Sequence, residues 1–490
     1  MKSPASLFCA GPNSPLSKSL LAISLTLLAT FAAGCGSNMS SIPPTPQNTS
    51  VTLMVSSTAN AQLSQMNITF NSLTLTTQSG KTVSLFTTPQ QAEFIHLNGT
   101  AEPLLTVSVP QATYTAGSAT VQFAQVTCVT LQSNGGLLTD EFQSNVAPVV
   151  TLSLPASIRV TGSAMGLLLN LQVSQSVMPA NCPLTAGNPT VNAAFTVTPV
   201  MLASSPTNVQ NGKMSSLVGQ ISAVNAMANS FTVAAPDGPT WAVVSDTNTL
   251  YQGVAAFSTL AAGMPVDMDL AIQPDGSLVA TRVSVPDVNP TNLTDVNGPV
   301  MQIAASQPSL FSFGWEVQGF LFPGARSLSL VPFSFTNSVA QISPRFTNLQ
   351  SLPFAPVFTT ANMIPGQNLS FTAHALTQQG GPTYIPATTL TLMPQTVNGI
   401  ITASASEGSF TTYTISLAPY DLIPNLAVQL GQTSLITNPS TVIVYVDHST
   451  QLLNTKQLAV GSVVRFNGLL FNDNGTLRMD VAQVNDGEAQ

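Results

Sequence analysis

The stretch Val218-Gly219-Gln220-Ile221-Ser222-Ala223-Val224 opens a pattern of short strands and turns that decides the fold. It continues with Ser230-Phe231-Thr232-Val233, with Leu260-Ala261-Ala262-Gly263-Met264-Pro265-Val266-Asp267-Met268, and with Pro274-Asp275-Gly276-Ser277-Leu278-Val279-Ala280-Thr281-Arg282-Val283. Apolar and polar residues alternate along these runs, as they do in half-buried strands. Asp-Gly favours a tight hairpin turn. Five or six short strands with a glycine at a corner predict a small closed barrel, similar to an OB fold.

The same order of runs recurs twice further along the chain. The last copy contains Val397-Asn398-Gly399-Ile400-Ile401, Leu458-Ala459-Val460-Gly461-Ser462-Val463 and Asn472-Asp473-Asn474-Gly475. A middle copy runs from Gly298-Pro299-Val300 through Ile364-Pro365-Gly366-Gln367. Its two glycines are further apart than in the first copy, which indicates an inserted loop. We therefore predict three OB-like barrel repeats, over residues 217–286, 287–396 and 397–490.

Residues 51–200 predict a different unit, with more strands. Met66, Ile68 and Phe70 alternate with polar residues and lead through the turn at Gly80 into a second strand. Many short strands with frequent turn signals favour a β-sandwich. Residues 201–216 are rich in small polar residues and predict a linker, so we expect separate units. The predicted fold class is mainly β, with an N-terminal β-sandwich followed by three small OB-like β-barrel repeats.

Two resemblances follow from these runs. The segment Phe94-Ile95-His96-Leu97-Asn98-Gly99-Thr100, with Leu104-Leu105 and Val109-Pro110-Gln111-Ala112-Thr113-Tyr114, resembles an uncharacterised domain found near the N-terminus of many bacterial lipoproteins. This chain has Ala112 near the position where that family carries glycine. Each barrel copy resembles a second uncharacterised family of small exported β-barrel domains. Neither resemblance implies an activity.

The N-terminus carries an export signal. Lys2 and Lys18 precede an apolar run from Ser19 to Gly34, and this order is typical of a secretory signal peptide. The apolar run is about 15 residues, which is short for a membrane span of about 20. We predict a signal peptide over residues 1–34, followed by a flexible tether over residues 35–50.

Ala32-Ala33-Gly34-Cys35 resembles the lipobox of bacterial lipoproteins, although Leu is usual where Ala32 stands. The resemblance implies that Cys35 becomes an acylated N-terminus, carrying palmitate or a similar chain, and that the membrane is a partner through this anchor. Gly36 after the cysteine implies delivery to the outer membrane, on its periplasmic or cell-surface face. The alternative is ordinary cleavage, with Cys35 an incidental thiol.

The other cysteines outside the signal peptide are Cys128 and Cys182. In an oxidising compartment such a pair predicts a disulfide, and two unpaired thiols are the alternative. The chain lacks a C-x-x-C motif, and His96, His374 and His448 stand in different units. We therefore predict no metal site and no cofactor.

The remaining polar and aromatic candidates also favour ordinary structural roles. Asp267 and Asp269 share one strand face near Asp275, which predicts a solvated barrel face, with weak calcium binding as the alternative. Trp241 and Trp315 predict core positions, with a sugar platform as the alternative.

Charge and motifs narrow the function. The net charge is −8 with 11 Lys and Arg, which disfavours nucleic-acid binding. Nucleophile-elbow, phosphate-loop and dinucleotide motifs are missing from the sequence, so we expect no enzyme. The leading hypothesis is a cell-envelope lipoprotein with a non-catalytic scaffold or binding role, with an envelope protein or a glycan as partner. The alternatives are a carbohydrate-binding or carbohydrate-acting surface protein, with a site on the middle copy's insertion, and a passive adhesion or surface-packing protein.

Overall fold

The structure is a computed structural model, and it describes most of the chain after residue 46. The described residues are 47–58, 63–95, 97–131, 137–142, 149–176, 193–200, 217–235, 238–273, 277–285, 294–303, 308–311, 330–335, 338–343, 346, 349–373, 385–418, 421, 423–424, 435–452, 455 and 457–486. Strands dominate them, which confirms the prediction of a mainly β protein.

The strands fall into an N-terminal group and three later groups. The first group is β1 (Asn48–Ser57), β2 (Leu63–Thr77), β3 (Thr82–Phe86), β4 (Gln90–Glu93), β5 (Glu102–Pro110), β6 (Ala112–Leu131), β7 (Leu137–Phe142), β8 (Val149–Ser153), β9 (Ile158–Val160), β10 (Ala164–Leu171) and β11 (Phe195–Val200), with a short helix α1 (Val173–Ser176). The second group is β12 (Leu217–Asn225), β13 (Ser230–Ala234), β14 (Thr240–Gln252), β15 (Pro265–Ile272) and β16 (Leu278–Ser284). The third is β17 (Thr294–Ile303), β18 (Pro308–Phe311), β19 (Leu330–Ser334), β20 (Val339–Ile342), β21 (Asn368–Ala373) and β22 (Ile385–Leu392). The fourth is β23 (Gln395–Glu407), β24 (Phe410–Leu417), β25 (Thr441–Val446), β26 (Gln451–Leu452), β27 (Val463–Asp473) and β28 (Thr476–Asp486).

The N-terminal group forms one continuous eleven-stranded sheet, which we call the N-terminal sheet. Its main path is β3-β2-β6-β8-β11-β10-β1-β5, with β4, β7 and β9 attached to β2 or β6. The sheet curls until its end strands β3 and β5 touch, and it encloses one core in which Phe70, Phe94 and Phe195 pack ring against ring. Hydrogen bonding is thus continuous, where a sandwich would have two separate sheets. β1 begins at Asn48, so the last three residues of the predicted tether belong to this sheet.

The later groups are three barrels with one topology. The first barrel closes in the order β12-β13-β14-β16-β15. The second and third barrels repeat this order, because β19 pairs with β22 and β25 pairs with β28. Each barrel is closed by a parallel pair of strands. These pairs are β14 with β16, β19 with β22 and β25 with β28. This strand order is that of the predicted OB-like barrel.

Local irregularities recur with the topology. A bulge interrupts the first strand of each ring, between Ile221 and Ala223, between Val300 and Gln302, and between Ile401 and Ala403. The corner glycines Gly263, Gly366 and Gly461 have φ values of 89°, 83° and 90°, a region where a side chain is strained. Each donates its N–H to the first strand of its barrel, at Ile221, Val300 or Ile401. Bulges and corners thus set the strand bends that close each ring.

The units are packed together, where we expected separate ones. Met54 and Leu168 point away from the core of the N-terminal sheet and into the core of the first barrel. Trp241 of that barrel donates its indole N–H to the carbonyl oxygen of Pro103, at 2.6 Å. These strands of the N-terminal sheet are therefore buried on both faces, which explains the unbroken apolar run Leu167-Leu168-Leu169.

The third barrel joins the N-terminal sheet through polar groups. The buried guanidinium of Arg465 donates from Nη2 to Asn170 Oδ1 at 3.1 Å, and Asn485 Nδ2 donates to Ser56 Oγ at 3.0 Å. The second barrel meets the third through apolar groups, because Leu469 and Phe471 belong to the same core cluster as Phe371. The described strands thus form one body built around shared interfaces.

Candidate functional site

The candidate site is a groove on the third barrel, which we call the β24–β25 groove. Its cavity volume is about 400 Å³, within the usual range for small-molecule sites. Its lining side chains come from the β23–β24 turn, from β24, from the end of β25 and from the segment before β27. The lining residues are Ser409, Thr411, Tyr413, Val446, Asp447, His448, Thr450, Leu452, Gln457 and Leu458.

A long hairpin raises one wall of this groove. In the third barrel β23 and β24 pair as far as Glu407 and Phe410, and Gly408 turns the chain with a φ of 63°. The matching hairpin of the first barrel ends its pairing at Asn225 and Ser230. The third-barrel hairpin is therefore two residue pairs longer, and the extra pairs are Ser406 with Thr411 and Glu407 with Phe410. Thr411 lies in this extension and is exposed to solvent.

A tight turn after β25 forms the floor of the groove. The Asp447 carboxylate accepts hydrogen bonds from the backbone N–H of Ser449 at 2.9 Å and from the Ser449 hydroxyl at 2.5 Å. The Thr450 hydroxyl donates to the carbonyl oxygen of Val481 in β28, at 3.0 Å. These bonds hold His448 at the tip of the turn, where it is exposed beside the cavity.

Tyr413 supplies the aromatic surface of the groove. Its ring stacks on Phe466 of the barrel core, with ring centroids 6.4 Å apart and an angle of 28° between planes. Burial raises the pKa of the Tyr413 hydroxyl above its usual value, so this group is a neutral donor and acceptor at neutral pH. The site thus combines a half-buried ring with hydroxyl, carboxylate, imidazole and amide groups.

The first barrel has the same turn, but a second aromatic ring packs at the position that corresponds to the groove. Asp246 accepts from the N–H of Asn248 at 2.8 Å, and Thr249 donates to the carbonyl oxygen of Ala280 at 2.7 Å. Phe231 occupies the position of Tyr413 in the strand register. Phe231 pairs with Val243, six residues before Thr249, and Tyr413 pairs with Val444, six residues before Thr450. The Phe257 ring lies 6.4 Å from Phe231 and covers it.

The position of Phe257 in the third barrel is taken by a smaller residue. Phe257 stands six residues before the corner glycine Gly263, and Thr455 stands six residues before Gly461. The difference in size between a phenyl ring and a threonine side chain accompanies the open groove. The sequence pattern did not predict this groove, because the Asp-x-x-Thr spacing at Asp246 and Asp447 marks a turn that both barrels share.

The acidic pair that we predicted on a solvated barrel face has one solvated member only. Asp269 is 1% exposed, and its carboxylate accepts from Arg282 Nε at 2.6 Å. Asp267 accepts from Arg282 Nη2 at 3.1 Å and keeps a quarter of its side chain exposed. Burial raises the pKa of the Asp269 carboxyl, and the Arg282 guanidinium opposes this rise. The solvated-face prediction is therefore wrong for Asp269, because a guanidinium compensates the buried charge. Asp275, the third member of the group, lies outside the described residues.

Several predicted residues lie outside the described part of the chain. Cys35, Cys182, His96, His374 and Trp315 are among them. The backbone of Cys128 pairs with Asp140 of β7, and the Cys128–Cys182 disulfide remains a prediction. Trp241 is buried, as predicted. Within the described ranges, no three His, Cys, Asp or Glu residues group as metal ligands, and no helix there is long and apolar enough to cross a membrane.

Comparison with known proteins identifies one barrel. Residues 218–284 match the model of a family described as a domain of unknown function, DUF5666. The matched segment corresponds to β12–β16, the first barrel, and agrees with its resemblance to an uncharacterised family. No curated protein matches the chain.

Proposed function

We propose that this protein is a lipoprotein of the cell envelope, held at the outer membrane through Cys35, with a non-catalytic binding or scaffold role. The observation that carries the proposal is the joining of four β-units into one body, beginning at Asn48, 13 residues after the lipobox cysteine. An anchored protein of this kind needs a folded body that keeps its shape outside the cytoplasm. Apolar packing around Trp241 and polar contacts around Arg465 supply that rigidity.

The low charge of the chain supports the same role. Charged residues make up 6% of the sequence, so hydroxyl and amide side chains supply most of its polar side-chain groups. Such groups hydrogen-bond neutral partners without strong electrostatic steering. We assign the protein no reaction.

Mass spectrometry of the mature N-terminus tests the anchor. We expect the first residue to be Cys35 carrying acyl chains, and we expect a Cys35→Ala variant to lose membrane attachment. An unmodified N-terminus at another residue contradicts the anchor.

A crosslinking pull-down from intact envelopes tests the binding role. We expect enrichment of one or a few envelope proteins or glycans over a control lipoprotein that carries the same anchor and an unrelated body. Failure to enrich any component contradicts this role.

A further inference from the structure

We propose that the β24–β25 groove binds a neutral, hydroxyl-rich saccharide, and that the matching groove of the first barrel is closed by Phe257. The proposal deepens the binding role above and rests on it for the source of the ligand. Binding in solution does not depend on the anchor. The site differs from the middle-copy insertion that we first considered for carbohydrate binding.

The position of the groove on the barrel is the first argument. The groove lies at the mouth of the third barrel, and barrel mouths are common places for ligand sites. Thr411 and Tyr413 of β24 line it and lie on the same strand face as the core residue Ile415. Val446 of β25 lines it from the same strand face as the core residue Val444. A ligand in this groove would therefore contact strands, whose side chains are better fixed than those of loops.

The chemistry of the lining is the second argument. Ser409, Thr411 and Tyr413 bring hydroxyl groups, and Gln457 brings an amide. Asp447 and His448 add an acceptor and a group that both donates and accepts. Val446, Leu452 and Leu458 add apolar surface between these groups. A sugar presents alternating hydroxyl groups and C–H faces, which match such a mixed lining.

The charge of the described lining disfavours other ligand classes. Lys and Arg are absent from the ten described residues that line the groove, and its acidic residue is Asp447. Phosphate-bearing ligands, including nucleic acids, need cationic partners. The polar groups disfavour an acyl chain, because burying them without hydrogen bonds would cost about 1–3 kcal/mol each. A neutral saccharide is compatible with both constraints.

The first barrel is an internal control for the groove. It shares the Asp-x-x-Thr turn, the parallel strand pairing and an aromatic residue at the position of Tyr413. Phe257 packs over that aromatic residue, and Thr455 replaces Phe257 in the third barrel. The turn alone therefore serves the barrel fold, while the opening beside Tyr413 distinguishes the third barrel.

The experiment uses the purified full chain in detergent and three neutral probes: maltopentaose, cellopentaose and N-acetylchitopentaose. Saturation-transfer NMR detects contact, and titration calorimetry measures the affinity. We expect at least one probe to bind, and we expect Thr411→Trp to weaken its binding by about tenfold or more. Thr411 is exposed, so an indole there fills the groove without disturbing the core.

The matched control is Thr247→Trp, which places the same ring on the first barrel at the position of His448. We expect this variant to bind as the wild type does. Binding by none of the three probes overturns the saccharide site in the β24–β25 groove, as does binding by Thr411→Trp that is equal to or tighter than that of the wild type. The anchor and the envelope pull-down are measured separately, so they can succeed while this site fails.

Discussion

At the scale of single residues, several of the few charged residues in the described part of the chain are buried. Arg282 with Asp269 lies on the side of the first barrel opposite its apolar core, and Arg465 lies between the third barrel and the N-terminal sheet. Asp421 is also buried, and it accepts the backbone N–H of Asn398 at 2.9 Å. A buried ionisable group needs hydrogen-bond partners, and burial favours the neutral form of Asp421. Each of these residues therefore fixes the geometry around it.

Removing Arg282 should destabilise the first barrel. Arg282→Ala leaves the Asp269 carboxylate buried without its guanidinium, which should cost about 3 kcal/mol or more. Denaturant unfolding followed by Trp241 fluorescence, in a Trp315→Phe background, measures the loss. The control is Arg282→Met with Asp269→Leu, which removes both charges and should recover at least half of it. A single variant as stable as the wild type contradicts the prediction.

Asp421 should make the stability of the third barrel depend on pH. Burial raises the pKa of its carboxyl from 3.8 to about 8, against the opposing effect of backbone hydrogen bonds from Asn398 and Ala418. The folded state therefore favours the protonated form. The contribution of Asp421 to the free energy of unfolding is complete below pH 4 and is lost as the pH rises towards 8. Hydrogen exchange of β23 and β24 from pH 5 to 8 measures this loss.

Asp421→Asn removes the titrating group and keeps an oxygen acceptor. The difference in protection between the wild type and this variant should change steadily over that pH range. A constant difference contradicts the raised pKa of Asp421.

At the scale of elements, each barrel fastens its third strand to its last strand with one hydroxyl group. Thr249 donates to Ala280, Ser338 donates to Ala387, and Thr450 donates to Val481. Each bond lies where the third strand of the barrel bends. After the bend, the first barrel continues with the second half of β14, the second barrel with β20 and the third barrel with β26. The repeat is thus maintained in hydrogen bonds as well as in topology.

Loss of this hydroxyl should weaken the closure of a barrel. Thr249→Val keeps the shape of the side chain but leaves the Ala280 carbonyl oxygen without its donor, which should cost about 1–2 kcal/mol. Thermal unfolding measures the cost, and Thr249→Ser should restore most of it. The control is Thr247→Val, an exposed change on the same strand, with an expected effect within about 0.5 kcal/mol. Equal effects of the two valine variants contradict the role of the hydroxyl.

Much of this element level could be predicted from sequence. Strand alternation, the Asn474-Gly475 turn and the corner glycines are local signals, and they predicted barrels in the observed order. The groove was not predicted, because it depends on which side chains stand beside Tyr413. Gln457 and Leu458 line the groove with Tyr413 but lie more than 40 residues further along the chain, and no period in the sequence encodes this proximity.

At the scale of the whole molecule, the N-terminal sheet is the common partner of two barrels. Its outward-facing side chains alternate along β1, so that Met54 packs into the first barrel and Ser56 accepts from Asn485 of the third. One strand thus contributes to three packing regions. This arrangement couples the stability of units that are distant in sequence.

Trp241→Phe should uncouple the first barrel from the N-terminal sheet. The change removes the hydrogen bond to the Pro103 carbonyl oxygen and should cost about 1–3 kcal/mol at the interface. Calorimetry of the wild type should show the two units melting together, and the variant should show two separated transitions. Val243→Ala, a core change inside the same barrel, should lower the melting temperature without separating them. Two separated transitions in the wild type contradict the coupling.

The sequence by itself determined the class of fold, the positions of turns such as those at Gly80 and Gly475, and the recurrence of the barrel, because these follow from side-chain alternation and from backbone preferences of neighbouring residues. Tertiary structure decided which outward faces are covered, where Asp269 finds its guanidinium, and which side chains line the groove of the third barrel. The physical reason is that a strand face looks the same in sequence whether it meets water, a second unit or a ligand. Burial of Leu168, Asn170 and Asp269 depends on segments that only the folded chain brings together.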